Sequence, residues 1–195
     1  MDLIEKAKGF LLEPSRAFES SKYDSLQVAF KYYAVIAAIY SIFSSIILVI
    51  ISSVINMTLG KYGIQLGSGI ADMIYYFVMT FILMIIGAFL WGGILHVFAY
   101  ILGGRKEITQ TIKAVVYAST PIVLLGWIPA IGFVGWMWQF VLQIIGIQQY
   151  QEITTGKAIA TVLLPVIIIF ILVIIVSIII LTMIIPLIIG SGISG

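Results

Sequence analysis

Apolar and polar positions fall into long blocks along this chain, not into an alternation of single residues. Five apolar stretches stand out, at about 32–57, 73–102, 108–128, 131–147 and 158–189. A helix needs about 20 apolar residues to cross the roughly 30 Å hydrocarbon core of a bilayer. The pattern therefore predicts an all-α fold, a bundle of five membrane-spanning helices. The second stretch is too long to stand upright, so it is expected to tilt or to bend at Gly92 and Gly93. Ala88 and Gly92 there form a contact face of small residues spaced four apart. Pro121 is expected to kink the third stretch, and Pro129 to end it. The fourth then follows at once, antiparallel to the third. Pro165 is expected in the first turn of the last spanning helix, where its missing donor costs nothing.

Residues 1–30 are the long polar part and are read as a cytoplasmic or interfacial region preceding the membrane domain of 31–195. Leu3, Ile4, Ala7, Phe10 and Leu11 recur at helical spacing, with Glu5, Lys6 and Lys8 on the other side. Such a helix is expected to lie in the interface with its stripe among lipid headgroups. Pro14 ends it, and Ser20, Ser21 and Asp24 offer caps to the helix that follows.

Composition agrees with the pattern. Of 195 residues, 62% are hydrophobic and 9% charged, with mean hydropathy +1.21; a soluble domain carries about 25% charged residues. The absence of cysteine excludes disulfides, thiolate metal sites and cysteine nucleophiles. A net charge of +2 gives no reason to expect nucleic acid. The placement of the charges says more. With five spans, nine of the ten basic residues fall on the side of the N-terminus. Basic loops are retained in the cytoplasm, so the N-terminus is expected inside and the tail 190–195 outside.

Candidate chemistry is sparse. No Asp or Glu lies within a predicted span, and no cofactor, metal site or catalytic residue is expected. His96, Gln139 and Gln143 are the polar candidates for the bundle interior, either bonded between helices or lining the path of a small oligomeric channel or transporter. Trp127, Trp136 and Trp138 read as interfacial anchors. Arg105, Lys106 and Lys113 are the candidates for binding anionic lipid or a membrane-protein partner.

The order of features from Ile94 to Pro165 resembles the Yip family, multi-pass membrane proteins named for interaction with Ypt/Rab GTPases. A His-bearing helix end, ILHVFAYILGG, leads into the basic turn RKEITQT and a span opening AVVYASTP. The turn GWIPAIG, the Trp-rich span WMWQFVLQIIGIQQY and the loop TTGKA before ATVLLP follow. Ala118-Ser119-Thr120-Pro121 and Thr155-Gly156-Lys157-Ala158 carry most of the likeness, and LLEPSRAF is similar to the opening of prokaryotic members. The resemblance implies five transmembrane helices and a cytoplasmic N-terminus. Eukaryotic members are linked to vesicle traffic and prenylated Rab GTPases. The long acidic region many of them carry has no counterpart in the roughly 30 residues before the first span, so no small GTPase is expected as partner. The short form and the Ile-rich helices look like an archaeal or bacterial member. What that implies is a non-enzymatic integral protein of the cell membrane that organises lipids or protein partners through its cytoplasmic face.

Overall fold

The computed structural model describes residues 3–192, and side chains as far as 183. Within that range the chain is a succession of helices joined by short turns. Two short helices come first, α1 (Leu3–Leu12) and α2 (Pro14–Ser21), followed by two long ones, α3 (Leu26–Leu59) and α4 (Ile70–Ile101). Then come α5 (Ile108–Ala118), α6 (Thr120–Leu125), α7 (Gly132–Gln151) and α8 (Thr155–Gly192). Of the expected tail, 193–195 lie outside the described residues, and 190–192 close α8.

Local chemistry accounts for the ends. Pro14 stands in the first turn of α2, where its missing N–H is no loss. Ser25, not Asp24, caps α3, its Oγ accepting from the Val28 amide at 3.3 Å. Asp72 Oδ2 accepts the Gly69 amide at 2.9 Å at the head of α4. Between α3 and α4 the Asn56 side chain pins the loop by bonding both polar groups of Leu66, at 2.7 and 2.8 Å.

Four helical stretches are long and apolar enough to cross a membrane: Leu26–Tyr62, Ile70–Ile101, Ile108–Leu125 and Thr155–Met183. The fourth stretch of the sequence reading, α7, is a 20-residue helix but is not among them, because glycine and glutamine dilute its apolar residues. The third is two helices: the break falls at Ser119, two residues before Pro121. Pro129 lies in the turn between α6 and α7, where Ala130 takes a left-handed conformation (φ 67°).

Gly92, Gly93 and Pro165 all stand inside continuous helices. α4 is continuous through Gly92 and Gly93, with no interruption there. Only Gly92 is a contact glycine: a Cβ on it would meet Ile112 Cγ1 at 3.0 Å and Cα at 3.3 Å, whereas one on Gly93 would meet nothing. α8 begins at Thr155, ten residues before Pro165. Its first turns are held by burial of Ala158, Thr161 and Val162 in the core, so the helix is formed before the proline is reached.

α3 packs on α4, the α5–α6 segment lies between α3, α4 and α7, and α8 touches α4 and α7. Burial separates the inner and outer members of this bundle. In Ile108–Leu125, 67% of residues are buried, against 6% of the most apolar windows of α4 and α8. The α5–α6 segment is thus the interior of the bundle, while α4 and α8 turn most of their surface outward.

The two glycines of α4 should separate in a stability measurement. Gly92→Leu overpacks the α4–α5 contact and is expected to cost about 1–3 kcal/mol, read as a lower thermal midpoint in detergent. Gly93→Leu should leave that midpoint unchanged.

Candidate functional site: a charged network inside one end of the bundle

The two N-terminal helices each bury one face. They dock on the protein by part of the expected stripe, with Phe10 buried and Leu3 packed against the core, and Lys6 joins them. Lys6 and Phe10, one turn apart, form the buried face of α1, while Ile4 and Leu12 are exposed. α2 contributes Ala17, Phe18 and Ser21. Phe10 lies nearly parallel to the Tyr117 ring at 4.7 Å and edge-on to Phe18 at 4.9 Å. Phe18 in turn meets Tyr150 edge-on at 5.6 Å. Gly146 on α7 makes the room, since a Cβ there would stand 2.7 Å from the Phe18 ring.

This aromatic wedge carries a charge network inward with it. Lys6 Nζ pairs with Asp24 and donates to Tyr117 OH at 3.0 Å, and Tyr117 OH donates to Asp24 Oδ2 at 2.6 Å. Lys113, on α5, donates to the carbonyls of Lys22 (2.8 Å) and Asp24 (2.7 Å), with its ammonium 5.3 Å from the Tyr150 ring. Only 8% of Lys6 and 3% of Lys113 is exposed. Two ammonium groups at such depth are tolerable because each has two oxygen acceptors, while Tyr150 OH beside them is buried without a partner among the described residues. Burial by itself would raise the Asp24 carboxyl. The hydrogen bonds from Lys6 and Tyr117, with the charges of Lys6 and Lys113, outweigh it and hold the group below its ordinary 3.8.

A second layer lies toward the loops. Glu152, in a left-handed conformation that ends α7, joins Lys106 at 2.6 Å and Lys22 at 2.8 Å. Hydrogen bonds from these two lysines hold its carboxyl down at about 2. Buried Gln151 accepts the Lys106 amide at 3.2 Å and donates to Thr111 Oγ1 at 2.8 Å. Thr111 also shares a hydrogen bond of 3.0 Å with His96 Nδ1, which ties α4, α5 and α7 together.

The structure does not bring the expected basic cluster together. Lys113 is inside and bonded to two carbonyls, Lys106 is paired to Glu152, and Arg105 stacks on Tyr100 and donates to that residue's carbonyl at 2.6 Å. The polar interior candidates separate as well. Gln143 accepts from Trp91 Nε1 at 3.2 Å and shares with Gln139, Trp136, Phe140 and Val166 a cleft of about 280 Å³. His96 does not line it. Of the tryptophans, Trp127 stacks on Phe43 at 4.4 Å, and Trp136 packs on Phe140.

The residues missed from the sequence are Lys6, Asp24, Tyr117, Tyr150 and Gln151. Tyr117 was within reach, because it sits in the AVVYASTP element whose Thr120 Oγ1 shares a 2.9 Å hydrogen bond with Tyr32 OH. Nothing local marks the other four.

These features define a class: a multi-pass helical membrane protein whose charged N-terminal helices are folded into one end of its bundle. A family model described as the Yip1 domain matches residues 8–178. The chain belongs to the Yip1 family, and the match takes in the second half of α1, α2, the network apart from Lys6, and the membrane helices up to residue 178. Neither a curated protein nor a solved structure matches the chain.

Asp24→Asn removes the one carboxylate that Lys6 and Tyr117 share, leaving a buried ammonium unpaired. It is expected to cost about 2–3 kcal/mol, measured as thermal midpoint in detergent at neutral pH. Because the folded carboxyl lies below its unfolded value, its contribution is complete above pH 3.8 and is lost as pH falls through the lowered value. The asparagine variant should therefore lose less stability than the wild type over that acid window.

Proposed function

We propose that this chain is a non-enzymatic membrane protein that organises anionic lipids or a membrane-protein partner through the face built by α1, α2 and the α4–α5 and α7–α8 loops. That face is the cytoplasmic one in this reading, because nine of ten basic residues belong to it. The observation that carries the proposal is a division of labour among the cations. Lys6 and Lys113 are spent inside, and Lys22 and Lys106 on Glu152. Exposed Lys8, Lys31 and Lys157 pair with no carboxylate among the described residues, and Arg105 bonds only to backbone oxygens. These four are the groups with charge left to offer a partner.

The reading of a small oligomeric channel or transporter has one observation behind it. Gln139 Oε1 is buried beside the α7–α8 cleft without a partner among the described residues. Flux of ions and small solutes in liposomes tests it, and zero flux discards it.

An anionic surface attracts each nearby basic residue by about 1 kcal/mol, roughly a fivefold effect per residue. Replacing Lys8, Lys31, Arg105 and Lys157 together with glutamine should strip anionic lipid from the purified protein while the thermal midpoint stays put. Lys113 is left out of that set because its substitution would unfold the network. Equal anionic lipid in wild type and variant would discard the lipid reading and leave the protein partner.

A further inference from the structure

Gln139 and Gln143 stand one turn apart on α7 and share the cleft between α4, α7 and α8. Trp91, Trp136, Phe140 and Val166 wall it, and its volume is about 280 Å³. Its surroundings are apolar and face outward. Leu90, Ile94 and Val97 are exposed on either side of Trp91, and Leu163, Leu164 and Ile167 on either side of Val166. Such side chains on two long apolar helices belong in hydrocarbon, so the cleft opens into the lipid. Trp136, 51% exposed, stands at its mouth, and Gln143, 2% exposed, at its inner end.

These two glutamines lack a full set of partners. Gln143 Oε1 accepts from Trp91 Nε1 at 3.2 Å, while its Nε2 has no acceptor among the described residues. Gln139 Oε1 is buried with no donor among them. Other polar side chains on the long helices turn back on their own backbone: Ser41 donates to the Ala37 carbonyl at 2.8 Å, and Ser177 to that of Val173 at 2.7 Å. The glutamines have no such outlet, and hydrocarbon supplies no water to take its place. A turn of the Gln139 carboxamide about its last bond brings its oxygen to the cleft.

The ligand follows from what the cleft offers. One acceptor and one donor a helical turn apart match a hydroxyl, which donates to Gln139 Oε1 and accepts from Gln143 Nε2. No ionisable side chain lines the cleft, so a charged headgroup would enter it without a counter-ion. The aromatic walls suit the carbons next to the hydroxyl, and the mouth lets the rest of the molecule run into the bilayer. We infer that this cleft binds an uncharged lipid with a free hydroxyl, a long-chain alcohol or a diacylglycerol. It lies apart from the charged face proposed above to take anionic lipid or a partner, and neither reading depends on the other.

The test uses the purified full chain in zwitterionic nanodiscs, with a long-chain alcohol carrying a diazirine in its chain as the probe. Light should attach the probe to α7 or α8 beside the cleft, as located by peptide mass spectrometry. Unlabelled long-chain alcohol or diacylglycerol should compete, and the stronger competitor is the class the cleft takes. The methyl ether of the same alcohol accepts but cannot donate, and should need about tenfold more, the worth of one neutral hydrogen bond. Gln139→Leu should weaken labelling to a similar degree without lowering the thermal midpoint, because the oxygen it removes had no partner. The comparison of alcohol with ether is made on the wild type and needs no variant. Equal competition by alcohol and ether, competition by neither hydroxyl lipid, or equal labelling of wild type and Gln139→Leu would overturn the site. A dimer that Gln139→Leu dissolves would also overturn it, by giving the glutamine to a second copy of the chain.

Discussion

Two lysine ammonium groups and one aspartate have to be neutralised together where little water reaches, and most of the fold at the charged end follows from that. Lys6 brings α1 to α5, Asp24 sets the start of α3 against both, and Lys113 reads the backbone carbonyls of the turn between α2 and α3. Phe10 and Phe18 seal the network on a tyrosine from α5 and one from α7. Ion pairs of this kind add little to stability over an apolar substitute, yet breaking one partner away costs several kcal/mol. The network therefore acts as a register device: α1 and α2 have a single place to sit, and leaving it strands a charge.

The same constraint divides the bundle lengthwise. At the charged end, side chains from α1, α2, α3, α4, α5, α7 and α8 share one core, with Leu95, Val116, Leu142, Ile147 and Val162 closed off from solvent. Toward the other end the contacts are polar and few, such as Ser52 with Tyr76 at 3.4 Å and Asn56 with Leu66. In a bilayer this gradient is stable, because exposed isoleucine and leucine cost nothing in lipid. In water it would not be. Membership of the Yip1 family places this arrangement in a known kind of membrane protein.

Function is read from what the network leaves over. A charge that is buried and satisfied organises the fold and offers nothing to a partner; one that is exposed and unpaired does the reverse. Sorting the cations by that criterion moved Lys113 from the binding face to the interior and brought Lys8, Lys31 and Lys157 forward. It also set His96 in a hydrogen-bond chain with Thr111 and Gln151, apart from the cleft of Gln139 and Gln143.

Class, family and the helical stretches of this protein were legible without coordinates. Hydropathy sums over neighbouring residues, and prolines and caps act within a turn, so the long helices declared themselves to within a few residues at most ends. What needed the tertiary structure is everything that joins distant parts of the chain. Lys6 and Tyr117 are 111 residues apart in sequence, and Lys113 and Lys22 are 91 apart. No local pattern says that a lysine near a helix start will turn to a carbonyl from another helix instead of snorkelling to headgroups. The reach of the α5–α7 hairpin along α3 is hidden for the same reason. An apolar run of 18 residues has the length of a short span, and only the level at which Trp127 meets Phe43 shows how far along α3 it reaches.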